Sequence, residues 1–214
     1  MIFRKKAGLI LNILIVLLVI VGTVVMISRK PSSAGLTSSG FENLKFFTVL
    51  SNEFCGIVAL LWLICFAKGK SFPVLLKLIA ATAVGLTFLI VAAFLAPMYP
   101  TLNLYQGGNL YFHLIVPLVA LVEFILMETE ERLAFRYTFL AALPTVIYGL
   151  GYYLNVVING KGVWPDTNDW YGFLNWGYPV GFAIFGVIIL MNWGIACLLR
   201  FVNNILSARL RTKS

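Results

Sequence analysis

Thr48, Ser51, Asn52 and Cys55 stand at i, i+3, i+4 and i+7 in a run of otherwise apolar residues. On a helix of about 3.6 residues per turn they share one narrow polar stripe, with Glu53 turned about 100° from Asn52. In hydrocarbon such a stripe must face protein or trapped water. A hydroxyl there becomes a nucleophile when a base takes its proton, and the chain holds one histidine, His113, in a later apolar run. A hydroxyl nucleophile activated by a histidine needs only two residues at contact distance, and both are present; Ser51, Asn52 and Asn175 are candidate donors to an oxyanion and Glu53 a candidate orienting group for His113.

The same residues also have local, structural roles open to them. Thr48 can bond back to the carbonyl of Leu44, His113 can bridge two helices, and Glu53 can pair with a tyrosine or an asparagine. Glu123 lies about one turn from the end of its run and reads as an interfacial carboxylate. No metal site is expected, because one histidine without clustered carboxylates falls short of the roughly three or four ligands needed. There is no Gly-x-Ser-x-Gly elbow and no phosphate-cradling glycine loop, and no cofactor is expected.

The elements that must position these residues are membrane spans. Of 214 residues, 61% are hydrophobic and 11% charged, against roughly 45–50% and 25% in soluble domains. The mean hydropathy is +0.95. At about 20 residues per span the chain accommodates five to seven crossings, so one membrane domain over residues 1–214 is expected. The formal charge of +8 sits at segment ends rather than in a patch with interleaved aromatics, which argues against a nucleic-acid partner. Cys55, Cys65 and Cys197 lie in apolar runs as small hydrophobes and imply no disulfide framework.

The pattern predicts an all-α protein with six transmembrane helices at about residues 7–27, 40–67, 73–96, 109–127, 133–157 and 171–201. The first run is too long for a signal peptide, lacks a small-residue cleavage site and is read as a retained helix. Ser39-Gly40-Phe41-Glu42 reads as a capping box opening the second helix, and Pro97 with Pro100 closes the third. Twelve of the 16 Lys and Arg residues, Lys77 among them, fall on the side that six spans give to both termini. That bias predicts cytoplasmic termini.

With this topology Thr48 lies one turn below Lys45 and His113 about one turn below Asn109, both about 5–10 Å beneath the outer boundary. Asn175 opens the sixth helix at a similar level. Pro117 would free the carbonyl of His113 and Pro179 that of Asn175, as in helices that line a cavity. Trp164, Trp170 and Trp176 around the last outer loop read as interface anchors or as a lid over that cavity.

The segments Leu44-Lys45-Phe46-Phe47-Thr48-Val49-Leu50-Ser51-Asn52 and Tyr111-Phe112-His113-Leu114-Ile115-Val116-Pro117 resemble those of the androgen-induced protein family, which includes the androgen-dependent TFPI-regulating proteins and many short bacterial members. Trp164-Pro165 through Phe173-Leu174-Asn175 is similar to the aromatic entry to that family's last helix. The 65 residues between Thr48 and His113 make a shorter spacing than in eukaryotic members. The resemblance implies a six-span threonine hydrolase of fatty acid esters of hydroxy fatty acids or a related acyl ester, with Thr48 as nucleophile and His113 as base. It implies a lipid or fatty-acyl ester as substrate, membrane lipids as surroundings, and residence in the plasma membrane, the inner membrane in a bacterium. A lipid-binding or transport protein without chemistry is the other reading of the same residues.

Overall fold

The run Ala80-Ala81-Thr82-Ala83-Val84-Gly85-Leu86-Thr87 is built mostly of small side chains, and every one of its residues is buried. Small residues let helix backbones approach closely in a membrane, where packing rather than water exclusion holds helices together. The helix that carries this run is accordingly the centre of the bundle. The computed structural model describes residues 2–28, 40–101, 103–127, 132–163 and 167–211.

Among the described residues six helices are long and apolar enough to cross a membrane: α1 (Ile2–Ile27), α2 (Phe47–Ala67), α3 (Val74–Met98), α4 (Gly108–Met127), α5 (Arg136–Asn159) and α6 (Tyr178–Arg211). Among the described residues there is no strand. The protein is an all-α, multi-pass membrane protein. α2, α4, α5 and α6 pack around α3, and α1 lies against α2 and α4. One core cluster, with Ile15, Val58, Val84 and Val116, joins α1 to α4; a second, with Leu78, Phe124, Ala141 and Ala196, joins α3 to α6. Two glycines allow close approaches between helices. A Cβ on Gly22 would stand 2.7 Å from Phe112 Cε1, and one on Gly149 would stand 1.6 Å from Phe185 Cζ.

The helix ends differ from the sequence pattern for identifiable reasons. Residues 40–45 form a 3₁₀ turn, and Phe46 is extended at φ −84°, ψ 134°, so the second membrane helix starts at Phe47 rather than near residue 40. At this break the Lys45 carbonyl accepts from Tyr148 Oη at 2.6 Å, and the Phe47 N–H donates to Tyr171 Oη at 2.8 Å. Two tyrosines thus answer the backbone groups freed at the break. Ser39 of the expected capping box lies outside the described residues.

The fifth helix starts at Arg136 rather than 133, because Asn204 takes the Leu133 N–H at 2.8 Å and Arg200 Nε donates to the Leu133 carbonyl at 3.0 Å. The sixth starts at Tyr178 rather than 171. Gly172 and Gly177 sit at φ +68° and +86°, which ordinary side chains avoid, and Asp169 accepts the Leu174 N–H at 3.0 Å. Pro179 is therefore the second residue of α6, where its missing N–H would be unpaired anyway, and it breaks no ladder bond to Asn175.

Pro117 does act inside a helix. The turn before it, Tyr111–Ile115, is a π-turn in which the Val116 N–H reaches back to the Tyr111 carbonyl. His113 sits in that widened turn. Pro97 has the same relation to the π-turn Val91–Leu95, and the third helix continues through Pro97 to Met98 instead of ending there. π-turns of this kind recur at functional sites.

Candidate functional site

Thr48 falls in the first turn of α2, and its carbonyl accepts from Ser51 Oγ at 3.0 Å and from Asn52 Nδ2 at 2.7 Å. Asn52 is fully buried and uses Nδ2 a second time, donating to the Phe112 carbonyl of α4 at 3.0 Å. One amide therefore ties the backbone of Thr48 to the residue next to His113, at a single level of the bundle. The Thr48 side chain is half-buried, and its hydroxyl makes no hydrogen bond with a described residue. The back-bond to Leu44 does not form; Leu44 belongs to the 3₁₀ turn on the other side of the extended Phe46.

The His113 ring is 8% exposed, and its Nδ1 lies 2.6 Å from the Leu104 carbonyl in the connection between α3 and α4. A carbonyl only accepts, so Nδ1 carries the hydrogen and the neutral ring keeps its lone pair on Nε2. Nε2 makes no hydrogen bond with a described residue. A backbone oxygen thus occupies the orienting place for which the sequence offered Glu53. The Glu53 carboxylate instead accepts from the Thr23 hydroxyl of α1. Its expected tyrosine or asparagine partner is a threonine.

The three candidate oxyanion donors part company. Asn52 has both N–H bonds committed to carbonyls, while its Oδ1 is buried without a partner among the described residues. Ser51 shares its hydroxyl between the Thr48 carbonyl and Thr87 Oγ1, 3.0 Å away on α3. Asn175 is exposed, precedes α6, and accepts from Lys161 Nζ at 3.0 Å, which places it in the outer turn rather than in the polar layer around Asn52.

The tryptophans separate in the same way. Trp170 donates to Tyr148 Oη at 3.1 Å and packs edge-on against Tyr152 at 4.9 Å between ring centroids, as part of an aromatic cover over this end of the bundle. Asp169 is buried beneath that cover, accepting from Tyr152 Oη. Trp176 is 69% exposed, in the manner of an interface anchor. Trp164 lies outside the described residues.

The largest correction concerns charge inside the bundle. Glu123 is not an interfacial carboxylate and Lys77 is not an end charge: they are 1% and 4% exposed and form an ion pair at 2.9 Å, with Asn12 of α1 bonded to both. The sequence carried a signal for this pair, since opposite charges stood inside separate apolar runs, but nothing in it showed that they faced each other. Among the described residues no group of three His, Cys, Asp or Glu side chains converges as a metal site would require.

The fold and the buried polar layers define the class of the protein, a six-span integral membrane protein with ionisable groups in its interior. Comparison with protein-family models, with curated proteins and with solved structures gives no match.

Proposed function

We propose that the protein is an intramembrane hydrolase of a lipid ester, with Thr48 as nucleophile and His113 as base. The observation that carries this reading is the Asn52 amide, bonded at once to the carbonyls of Thr48 and Phe112. It joins the nucleophile's turn to the base's turn. The Leu104 carbonyl adds the tautomer that a base needs, with the lone pair on Nε2.

In this mechanism His113 Nε2 takes the Thr48 Oγ1 proton as Oγ1 attacks the ester carbonyl carbon. The tetrahedral intermediate collapses with return of the proton to the departing alkoxide, leaving an acyl-threonine and an alcohol. His113 then deprotonates a water that hydrolyses the acyl-threonine, releasing the acid and restoring the hydroxyl. The Thr48 N–H, in the first turn of α2 and without an intrahelical acceptor, is the donor we assign to the oxyanion; a well-placed donor contributes roughly 3–4 kcal/mol. An open groove of about 510 Å³, lined by Val24, Val25, Ser28, Gln106 and Gly107, lies beside the connection that carries Leu104. It has the size of a small-ligand site and is the entry we assign to the acyl chain. Both termini face the cytoplasm in this reading, and the membrane is the plasma membrane.

Purified protein treated with a fluorophosphonate probe tests the proposal. Wild type labels and hydrolyses a fatty-acyl ester, Thr48→Ser keeps part of both, and Thr48→Ala loses both while retaining its thermal unfolding transition. Normal turnover by folded Thr48→Ala overturns the threonine mechanism. A lipid-binding or transport protein would bind the ester and never label.

A further inference from the structure

The Lys77, Glu123 and Asn12 cluster takes no part in the chemistry assigned to Thr48. Lys77 Nζ donates to Glu123 Oε1 at 2.9 Å and to Asn12 Oδ1, and it faces the Trp62 ring 5.4 Å from the centroid. Asn12 Nδ2 donates to Glu123 Oε1 at 2.7 Å and to the Gly8 carbonyl at 2.8 Å. The ammonium is answered on three sides. On the carboxylate both donors fall on Oε1, and Oε2 has no hydrogen bond with a described residue.

Glu123, Lys77 and Cys55 line a void of about 10 Å³, otherwise walled by apolar side chains such as Ile15, Ala59 and Ala120. That is about the room one water requires, and a water needs polar partners of the kind found here. A carboxylate kept only for structure would have both oxygens answered, because an unanswered charged oxygen in a membrane interior is costly. This one is answered on Oε1 alone, and the residue lines a water-sized space.

We propose that Glu123 is the proton-accepting group of a second, water-containing site in this half of the bundle. A proton carried by the water in the void adds to Oε2, converting carboxylate to carboxylic acid and leaving water behind. Lys77 keeps its proton, held by Asn12 Oδ1 and the Trp62 face, so the cluster passes from net zero to one positive charge. The titratable groups facing the void are Lys77 from α3 and Cys55 from α2; α1 brings only the Asn12 amide to the cluster, and among the described residues α5 and α6 bring none to the void. Ten residues of α4, about 15 Å of helix, separate Glu123 from His113. Val84, Val116 and Ala120 form part of the apolar layer between the two sites.

Infrared difference spectra of the full chain in lipid nanodiscs, taken between neutral and acidic buffer, test this. The expected result is that, within the protonated-carboxyl stretches that the eight Asp and Glu side chains give on acidification, one discrete band that shifts in D₂O is lost in Glu123→Gln. Should that variant fail to fold, Lys77→Gln/Glu123→Gln keeps a neutral hydrogen-bonding cluster and must also lack the band. A band of equal size in either folded variant, or no band in wild type before unfolding, means a static ion pair and overturns the proposal. Probe labelling at Thr48 plays no part in this readout, so the two proposals stand or fall separately.

Discussion

Asn52 of α2 and Phe112 of α4 are joined by a 3.0 Å hydrogen bond from side-chain amide to backbone carbonyl, in the widened turn that Pro117 leaves behind it. This bond fixes the two helices at the level of Thr48 and His113. Asn52→Leu keeps the volume and leaves the Phe112 carbonyl unanswered in the interior, so unfolding in detergent should become easier by about 1–3 kcal/mol. A change below a few tenths would show that the amide does not hold the helices together.

The buried ion pair should respond to single and double substitution in opposite ways. Lys77→Met leaves an unpaired carboxylate inside the bundle and is expected to cost about 3–5 kcal/mol, whereas Lys77→Met/Glu123→Leu should recover most of that loss. Denaturation curves of the three proteins decide it. If the double variant is less stable than the single one, an unpaired Glu123 carboxylate is not what makes Lys77→Met costly.

Tyr171 should make the fold sensitive to alkali. Burial, and after it the neighbouring Tyr148 hydroxyl, hold the Tyr171 hydroxyl well above the usual tyrosine range. Its contribution is complete below the unfolded value of about 10 and declines as pH rises past it, because the unfolded chain then releases a proton that the folded one keeps. The midpoint of thermal unfolding should therefore drop above about pH 10. Tyr171→Phe should flatten that drop and, by removing the partner of the Phe47 N–H, cost about 1 kcal/mol at neutral pH. A steep alkaline loss that persists in Tyr171→Phe would assign it to another group.

Orientation can be read by labelling single cysteines in a cysteine-free background. Thr167→Cys, in the last connection, should react with an impermeant maleimide added outside intact cells, and Lys70→Cys, between α2 and α3, should react only after permeabilisation. The reverse pattern would invert the molecule and place Thr48 and His113 toward the cytoplasm.

The sequence by itself determined that the chain has six spans long and apolar enough to cross a membrane and that those spans are helical. Apolar runs near the length of a bilayer leave no other way to satisfy their backbone. It also led to the expectation of a common depth for Thr48 and His113, since helical rise and span ends set expected depth without knowledge of packing. Tertiary structure decided everything that depends on rotation about a helix axis. Glu53 turned to Thr23, Ser51 to Thr87, and Lys77 and Glu123 to each other, because those directions follow from which helices become neighbours and not from spacing within one run. It decided the breaks as well. Tyr148 and Tyr171, more than a hundred residues downstream, meet the backbone groups freed where α2 begins, and Asn204 and Arg200 hold the backbone ahead of α5. A local pattern carries no trace of partners so distant in the chain. The Leu104 carbonyl on His113 is the same case, for backbone atoms have no signature in sequence and only the folded connection brings one to the ring.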